Sequence, residues 1–277
     1  MSDKPELLGQ FHDASGKITV AVFRREPRSD QRHYFDFACE VPEDMVAIGG
    51  GAEAAELPGG ALLTASYPSD DLSAWLASSK DHIIPQPHRL TCYAIGLKIA
   101  GMSRQQLWEH LHIAVQDSGQ GNYPEASATV PMGHVMVSGG FQVAWSGGAG
   151  SLGTASFPKT SFSWTARSKD HEIASPAWIK AYAISLKRAL PVGIIQVTMT
   201  QQDSTPAAHP VATAVVPPGF ALTGAGARVN WQGAGNLLWK IRPLIPAENQ
   251  GVQAASKDHI TSSPATVSAY SLAIKII

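Results

Sequence analysis

The chain has 277 residues, and its 21 Lys and Arg against 22 Asp and Glu give a formal net charge of −1. Hydrophobic residues make up 44% of it, which excludes intrinsic disorder because a disordered chain combines low hydrophobicity with high net charge. The near-zero charge argues against nucleic-acid binding, since contacts with phosphates need an excess of positive charge. We therefore expect no nucleic acid among the partners.

The sequence also bears on location and on thiol chemistry. It has no run of about 18 apolar residues, so we expect no transmembrane helix. A polar N-terminus with no apolar segment behind it argues against a classical signal peptide. We therefore predict a protein that is cytoplasmic or exported without such a signal. Cys39 and Cys92 are too few for a disulfide scaffold, and no Cys-x-x-Cys motif offers thiolates to zinc.

The strongest pattern is a repeat. The tetrapeptide Ser-Lys-Asp-His occurs at 79–82, 168–171 and 256–259, at intervals of 89 and 88 residues. A Val-Pro pair and a glycine-rich run precede each copy, and a tyrosine follows eleven residues after each histidine. Chance does not align such features three times, so we predict three internal repeats of about 85–90 residues. Their bounds are 1–99, 100–188 and 189–277.

Short alternating or β-branched runs, bounded by Gly and Pro, predict strands in every repeat. In chain order they are 18–22, 46–48, 91–99, 111–115, 135–137, 181–187, 195–199, 221–223 and 269–276. A single short helix is predicted at 103–110, with Ser103 as its N-cap. We expect five or six strands per repeat and therefore an all-β protein.

Three β repeats fit two architectures. One is a pseudo-threefold β assembly in which the repeats share a core around an axis, and the other is a row of three tandem β-sandwich units. The connectors 100–110 and 189–193 lack the polar, flexible composition of linkers between independent domains. We therefore expect the pseudo-threefold assembly.

The last three residues of each repeated tetrapeptide are candidate ligand-binding residues: Lys80, Asp81, His82, Lys169, Asp170, His171, Lys257, Asp258 and His259. Asp and His side chains can hydrogen-bond to sugar hydroxyls. A structural interpretation is equally open, because an Asp in a turn often accepts a hydrogen bond from its own backbone. A third hypothesis brings the three histidines together on the axis as zinc ligands. Ligand sets normally show close spacing, which is missing here, so we expect no metal and no cofactor.

Four tryptophans complete the candidate ligand-binding set. Trp75 and Trp164 precede two of the tetrapeptides by four residues, and each is either a platform for a sugar ring or a core residue. Trp145 and Trp231 each precede a glycine turn, where we expect partial exposure. Repeat 1 has Glu56 at that place.

This organisation resembles that of microbial and plant lectins in which a β-rich unit is triplicated, and the resemblance implies several equivalent glycan sites. No nucleophile elbow, Walker loop, dinucleotide fingerprint or His-Glu-x-x-His motif occurs. The sequence therefore predicts a multivalent carbohydrate-binding protein without catalysis, whose partners are glycans or glycoconjugates. Two alternatives stay open. One is an enzyme with a single pocket between repeats, and the other is a protein- or membrane-interaction module that uses the tryptophan turns.

Overall fold

A computed structural model describes residues 4–57, 59–145 and 149–277, and most of its regular structure is β. The first repeat contains β1 (Glu6–His12), β2 (Ile18–Arg25), β3 (His33–Glu40), β4 (Val46–Glu53), β5 (Leu62–Pro68), β6 (Ala74–Lys80) and β7 (Thr91–Ile99). The second contains β8 (Leu111–Asp117), β9 (Glu125–Thr129), β10 (His134–Ala144), β11 (Leu152–Thr160), β12 (Ser163–Lys169) and β13 (Trp178–Lys187). The third contains β14 (Ala189–Leu190), β15 (Gly193–Asp203), β16 (Val211–Val215), β17 (Ala221–Asn230), β18 (Asn236–Leu244), β19 (Gly251–Asp258) and β20 (Thr266–Ile276).

The all-β prediction is confirmed, and every predicted strand lies within an observed one. Within the described ranges the second repeat has six strands, as expected. The first and third have seven, because each begins with an additional strand, β1 or β14. The interpretation of 1–99, 100–188 and 189–277 as the repeat bounds stays a prediction.

The predicted helix is α1 (Arg104–Trp108), which is shorter than the predicted range. The Ser103 hydroxyl accepts a hydrogen bond from the Gln106 amide at 3.2 Å, and the Gln106 side chain accepts one from the Ser103 amide at 2.8 Å. This reciprocal pair is a capping box that satisfies two backbone donors at the helix start. A single 3₁₀ turn, Pro246–Glu248, was not predicted. None of the helices in the described ranges has the length and hydropathy that crossing a bilayer requires.

Three antiparallel sheets are built on one plan. Their strand orders are β1-β2-β7-β4-β18-β19-β16, β8-β13-β10-β5-β6-β3 and β14-β15-β20-β17-β11-β12-β9. Each sheet therefore takes three or four strands from one repeat and three from a neighbouring repeat. Strands β4, β10 and β17 form the junctions, where they pair with β18, β5 and β11.

This exchange of strands closes a ring of three repeats. Repeat 1 shares a sheet with repeat 2, repeat 2 with repeat 3, and repeat 3 with repeat 1. A β-sandwich formed by one repeat would keep all of its strand pairs within that repeat, which is not observed. The repeats therefore form one interlocked pseudo-threefold body rather than three tandem sandwiches.

The junction strands β4, β10 and β17 approach one another at the centre of the molecule. A Cβ atom on Gly49 would lie 2.0 Å from the Thr223 carbonyl oxygen and 2.9 Å from the Ser138 hydroxyl. The glycine-rich runs therefore allow backbones to touch where no side chain fits. A separate buried cluster contains one leucine from each repeat, Leu62, Leu152 and Leu237.

Trp75 and Trp164 belong to the hydrophobic core, where they are almost completely buried. Their indole N–H groups donate to the hydroxyls of Ser66 and Ser156 at 2.8 and 2.9 Å. A Cβ atom on Gly50 would lie 2.4 Å from the Trp75 ring, so this glycine makes room for the indole. Cys39 and Cys92 are buried free thiols in the same core.

Candidate functional site

The three repeated histidines meet at one end of the axis. The ring centroids of His82, His171 and His259 lie 5.1 to 5.5 Å apart, and all three rings are buried. The histidines thus come together as the zinc hypothesis required. However, no group of three or more His, Cys, Asp or Glu side chains in the described ranges has the geometry to hold a metal ion.

The contacts of the histidine nitrogens explain why. Nδ1 of His259 faces the Gly59 carbonyl at 3.0 Å, and its Nε2 faces the His82 carbonyl at 2.8 Å. Likewise, Nδ1 of His171 faces the Ala234 carbonyl at 3.2 Å, and its Nε2 faces the His259 carbonyl at 2.5 Å. These nitrogens are engaged by backbone oxygens of neighbouring repeats. Burial, together with the other two histidines, lowers the pKa of His82 to about 3, so its ring is neutral at pH 7.

The repeated lysines fasten each motif to a turn of the next repeat. The buried ammonium of Lys80 donates to the Ala149 carbonyl and lies 4.1 Å from the Trp145 ring centroid. Lys169 donates to the Ala234 carbonyl and lies 4.3 Å from the Trp231 ring centroid. Such a placement over an aromatic face favours the cation. Burial nevertheless lowers the pKa of both lysines to about 8.

In the third repeat, the equivalent lysine contact has no tryptophan beneath it. Lys257 donates to the carbonyl of Ala55 and, at 3.1 Å, to that of Glu56. Burial lowers its pKa to about 7. All three lysines are therefore inter-repeat contacts in a closed cycle, from repeat 1 to 2, from 2 to 3 and from 3 to 1.

The repeated aspartates accept hydrogen bonds from the backbone of their own loops. In each repeat, Oδ2 of Asp81, Asp170 or Asp258 accepts a hydrogen bond from the backbone amide five residues later. The donors, at 2.9, 2.7 and 2.9 Å, are the amides of Gln86, Ser175 and Ser263. The structural interpretation of the motif therefore accounts for a contact of every Lys, Asp and His in it.

Most of the candidate ligand-binding side chains are buried, so little of their surface is accessible to a ligand. Apart from the half-buried Asp258, the Lys-Asp-His side chains are buried, and so are Trp75 and Trp164. A platform for a sugar ring needs one exposed face, which the two core tryptophans lack. Ligand binding by these eleven residues stays a prediction, and none of their contacts favours it.

The two other tryptophans are partly exposed, as expected, and each stacks on an aromatic residue of the preceding repeat. Trp145 stacks on Phe35 with ring centroids 5.1 Å apart, and Trp231 stacks on Tyr123 at 5.8 Å. Phe35 is 62% exposed and Tyr123 is 66% exposed. The Ser146 and Gly147 that follow Trp145 lie outside the described residues. We name the two surfaces at these aromatic pairs the 1/2 groove and the 2/3 groove, after the repeats that meet there.

Sequence reasoning missed the partners of these tryptophans. Phe35 lies in an irregular part of β3, between Tyr34 and Phe37, where the register of pairing with β6 shifts. Tyr123 lies in the loop before β9. Neither recurs as an aromatic in all three repeats, so the repeat pattern carried no signal for them. At the third junction, His209 contacts Glu56 instead, with 3.1 Å between Nδ1 and Oε1.

The 2/3 groove is a cavity of about 370 Å³, within the lower range of small-molecule sites. Its lining residues are Tyr123, Pro124, Glu125, Thr154, Arg167, Ser168, Arg228, Val229, Asn230 and Trp231. Aromatic rings from the loop before β9 and from the end of β17 form one side. Charged and amide side chains of β9, β12 and β17 complete it.

Charges in the 2/3 groove are partly compensated. Arg167 Nε donates to Glu125 at 2.8 Å, and the Lys159 ammonium lies 3.3 Å from the same carboxylate. Burial raises the pKa of Glu125, but the hydrogen bonds and charges of these two cations outweigh it and hold the pKa below the ordinary value. Arg228 packs over the Phe157 ring, with Cζ 5.3 Å from the centroid. Its buried Nε has no hydrogen-bond partner among the described residues.

Neither a protein-family model nor a curated protein matches this chain. Its function is therefore inferred from the chemistry of the grooves. An exposed aromatic face bordered by an amide, a carboxylate and guanidinium groups suits a flat polar ligand with one apolar face.

Proposed function

We propose that the protein binds carbohydrate, without catalysis, at the 1/2 and 2/3 grooves. The observation that carries this proposal is the pair of exposed aromatic stacks, Phe35 on Trp145 and Tyr123 on Trp231. A pyranose ring presents C–H groups on one face, which pack on an aromatic ring, and hydroxyls at its edge, which need planar polar partners.

Polar groups stand beside the aromatic face in the 2/3 groove. The Asn230 side-chain amide donates to the hydroxyls of Thr266 and Ser268, which fixes its orientation. Its Oδ1 makes no hydrogen bond with the described residues and is left to accept one from a sugar hydroxyl. Glu125 is held by two cations and offers fixed acceptor oxygens. Preorganised polar groups of this kind reduce the entropic cost of binding.

The same groove favours binding over glycoside hydrolysis. Hydrolysis generally needs two carboxyl groups that flank the scissile bond, one of them a proton donor with a raised pKa. Among the described residues, Glu125 is the single carboxylate that lines the cavity, and its pKa is lowered. A proton donor is therefore missing from the described lining.

Two grooves make the protein bivalent in this proposal, and the third junction is excluded because His209 and Glu56 replace the aromatic stack. Two weak sites on one rigid body gain avidity toward a polymeric glycan, by about two to four orders of magnitude where both engage. The prediction of multivalency is thus retained, with two sites rather than three.

A glycan array followed by calorimetry with the bound glycan tests the proposal. Tyr123→Ala and Phe35→Ala each remove one exposed ring without opening the core, and Phe162→Ala, at a residue 56% exposed away from both grooves, is the matched control. We expect each single variant to halve the stoichiometry, the double variant to abolish binding, and Phe162→Ala to bind normally. An array without signal, or a double variant that binds as the wild type does, refutes the proposal.

A further inference from the structure

The three repeat junctions differ at one equivalent position on the junction strands. The cross-junction pairs Arg228 with Ala155, Gln142 with Ala65, and Glu53 with Lys240 place Arg228, Gln142 and Glu53 at the same site of the pseudo-threefold plan. The backbone there is repeated, but the charge is not. The position carries a cation, a neutral amide and an anion in turn.

Two of these three side chains are satisfied by their own junction. Gln142 donates to the Tyr67 hydroxyl at 3.0 Å and accepts from the Tyr182 hydroxyl at 3.1 Å. Glu53 contacts the Lys240 ammonium at 3.1 Å and accepts from the Tyr93 hydroxyl at 3.2 Å. Both residues therefore have structural roles.

Arg228 is different. It packs over the Phe157 ring, and its buried Nε has no hydrogen-bond partner among the described residues. Arg167 lies over the same ring at 5.7 Å, so two cations contact one aromatic ring. Two anions lie nearby. Glu125 is already neutralised by Arg167 and Lys159. The pKa of Asp203 is lowered by hydrogen bonds with Ser268 and Gln201 and, to a smaller degree, by the charge of Arg228. The groove thus has an excess of positive charge around a guanidinium whose buried Nε–H lacks an acceptor among the described residues.

A buried guanidinium N–H without an acceptor is costly unless a ligand supplies one. The planar fork of an arginine matches two oxygens of a carboxylate or a sulfate, and such bidentate pairs are stronger than neutral hydrogen bonds. Stacking on Phe157 fixes the plane of the fork beside a cavity that already presents Tyr123 and Trp231.

We infer that the 2/3 groove selects a sugar that carries an anionic group, a carboxylate or a sulfate, and that Arg228 binds this group. The inference rests on the proposed carbohydrate-binding function and adds the ligand class of one of its two sites. The 1/2 groove, with Gln142 at the equivalent position, has no such preference.

The test isolates the 2/3 groove by working in the Phe35→Ala background. Calorimetry compares methyl glucuronide, a methyl glucoside sulfate and neutral methyl glucoside, with sodium acetate and sodium sulfate as anions without a sugar. Arg228→Gln installs the side chain of the 1/2 groove. Arg89→Gln, which removes an exposed guanidinium paired with Asp30, is the charge-matched control.

We expect the anionic sugars to bind about tenfold more tightly than the neutral glucoside, a factor typical of one charged hydrogen-bonded contact. Added salt should reduce this preference. Arg228→Gln should abolish the preference for the anionic sugars, and Arg89→Gln should preserve it. Equal affinity for anionic and neutral sugars overturns the inference and leaves the proposed function standing. Acetate or sulfate that binds as tightly as the sugars overturns the sugar as ligand, and the absence of all sugar binding refutes both proposals.

Discussion

Lys257 allows a sharp test of the inter-repeat lysine contacts, because its ammonium is buried against the backbone carbonyls of Ala55 and Glu56. Burial lowers its pKa from 10.5 to about 7. The folded protein therefore binds fewer protons than the unfolded chain between about pH 7 and pH 10.5. The free energy of unfolding must then rise with pH across this window, and Lys257 must contribute no pH dependence below it.

One pKa unit corresponds to about 1.4 kcal/mol, so the rise due to Lys257 is about 3 kcal/mol between pH 7 and pH 9.5. Lys257→Met keeps the length of the side chain and removes the titration. Urea denaturation of the wild type and the variant at pH 6.5, 7.5, 8.5 and 9.5 gives the difference in stability at each pH.

The stability of the variant must be subtracted from that of the wild type at each pH, because other groups titrate in the same range. Lys80 and Lys169 add slopes of the same sign, since burial lowers their pKa to about 8. Cys39 acts in the opposite direction above pH 9, because burial raises the pKa of its thiol to about 12. These contributions are common to both proteins and cancel. A wild-type advantage that stays constant from pH 6.5 to pH 9.5 would show that Lys257 is not desolvated as the structure indicates.

Three further outcomes follow from the packing. Gly50→Ala should lower the unfolding free energy by about 3 kcal/mol or more, because its Cβ would lie 2.4 Å from the Trp75 ring. Gly119→Ala, with open space around it, should change the unfolding free energy by less than about 0.5 kcal/mol. Similar denaturation midpoints for the two variants would contradict this. Acidification from pH 6.5 to about pH 4 should destabilise the wild type more than His82→Gln, because the pKa of His82 is lowered in the folded protein and the unfolded chain binds the proton first; parallel thermal-melting profiles would refute this. Residues 1–99 expressed alone should lack a cooperative unfolding transition, because β3, β5 and β6 lose the sheet that they share with repeat 2; a cooperative melt would show that a repeat is self-sufficient.

Much of the fold could be predicted from the sequence because its signals are local and recur three times. Alternation placed the strands, Ser103 marked the helix start, and the lack of flexible linkers favoured one body over three. The exchange of strands between repeats could not be predicted, because pairs such as Phe141 with Ser66 or Lys240 with Glu53 join distant segments and leave no periodic trace. The same non-local pairing determines which neighbouring repeat is contacted by each of the three repeated lysines.

The candidate site was harder to predict because recurrence has two causes. A residue repeated three times either binds three equivalent ligands or makes three equivalent structural contacts. Lys80, Lys169 and Lys257 recur because each closes the same inter-repeat turn, and the central glycines recur because backbones touch at the axis. These positions tolerate little change, since each buried polar group there needs its carbonyl partner.

The positions that do not recur are therefore the more informative ones. At the three junctions, the contacting pairs are His33 with Trp145, Tyr123 with Trp231, and His209 with Glu56. The equivalent positions on the junction strands carry Gln142, Arg228 and Glu53. The framework imposes the same backbone on all three junctions, so it cannot be the reason that these side chains differ. Two of the three are closed by internal contacts, whereas the third leaves a buried guanidinium N–H without an acceptor among the described residues. We propose that this difference reflects what that groove binds. The symmetry of the fold thus serves as an internal control, with each junction the reference for the other two.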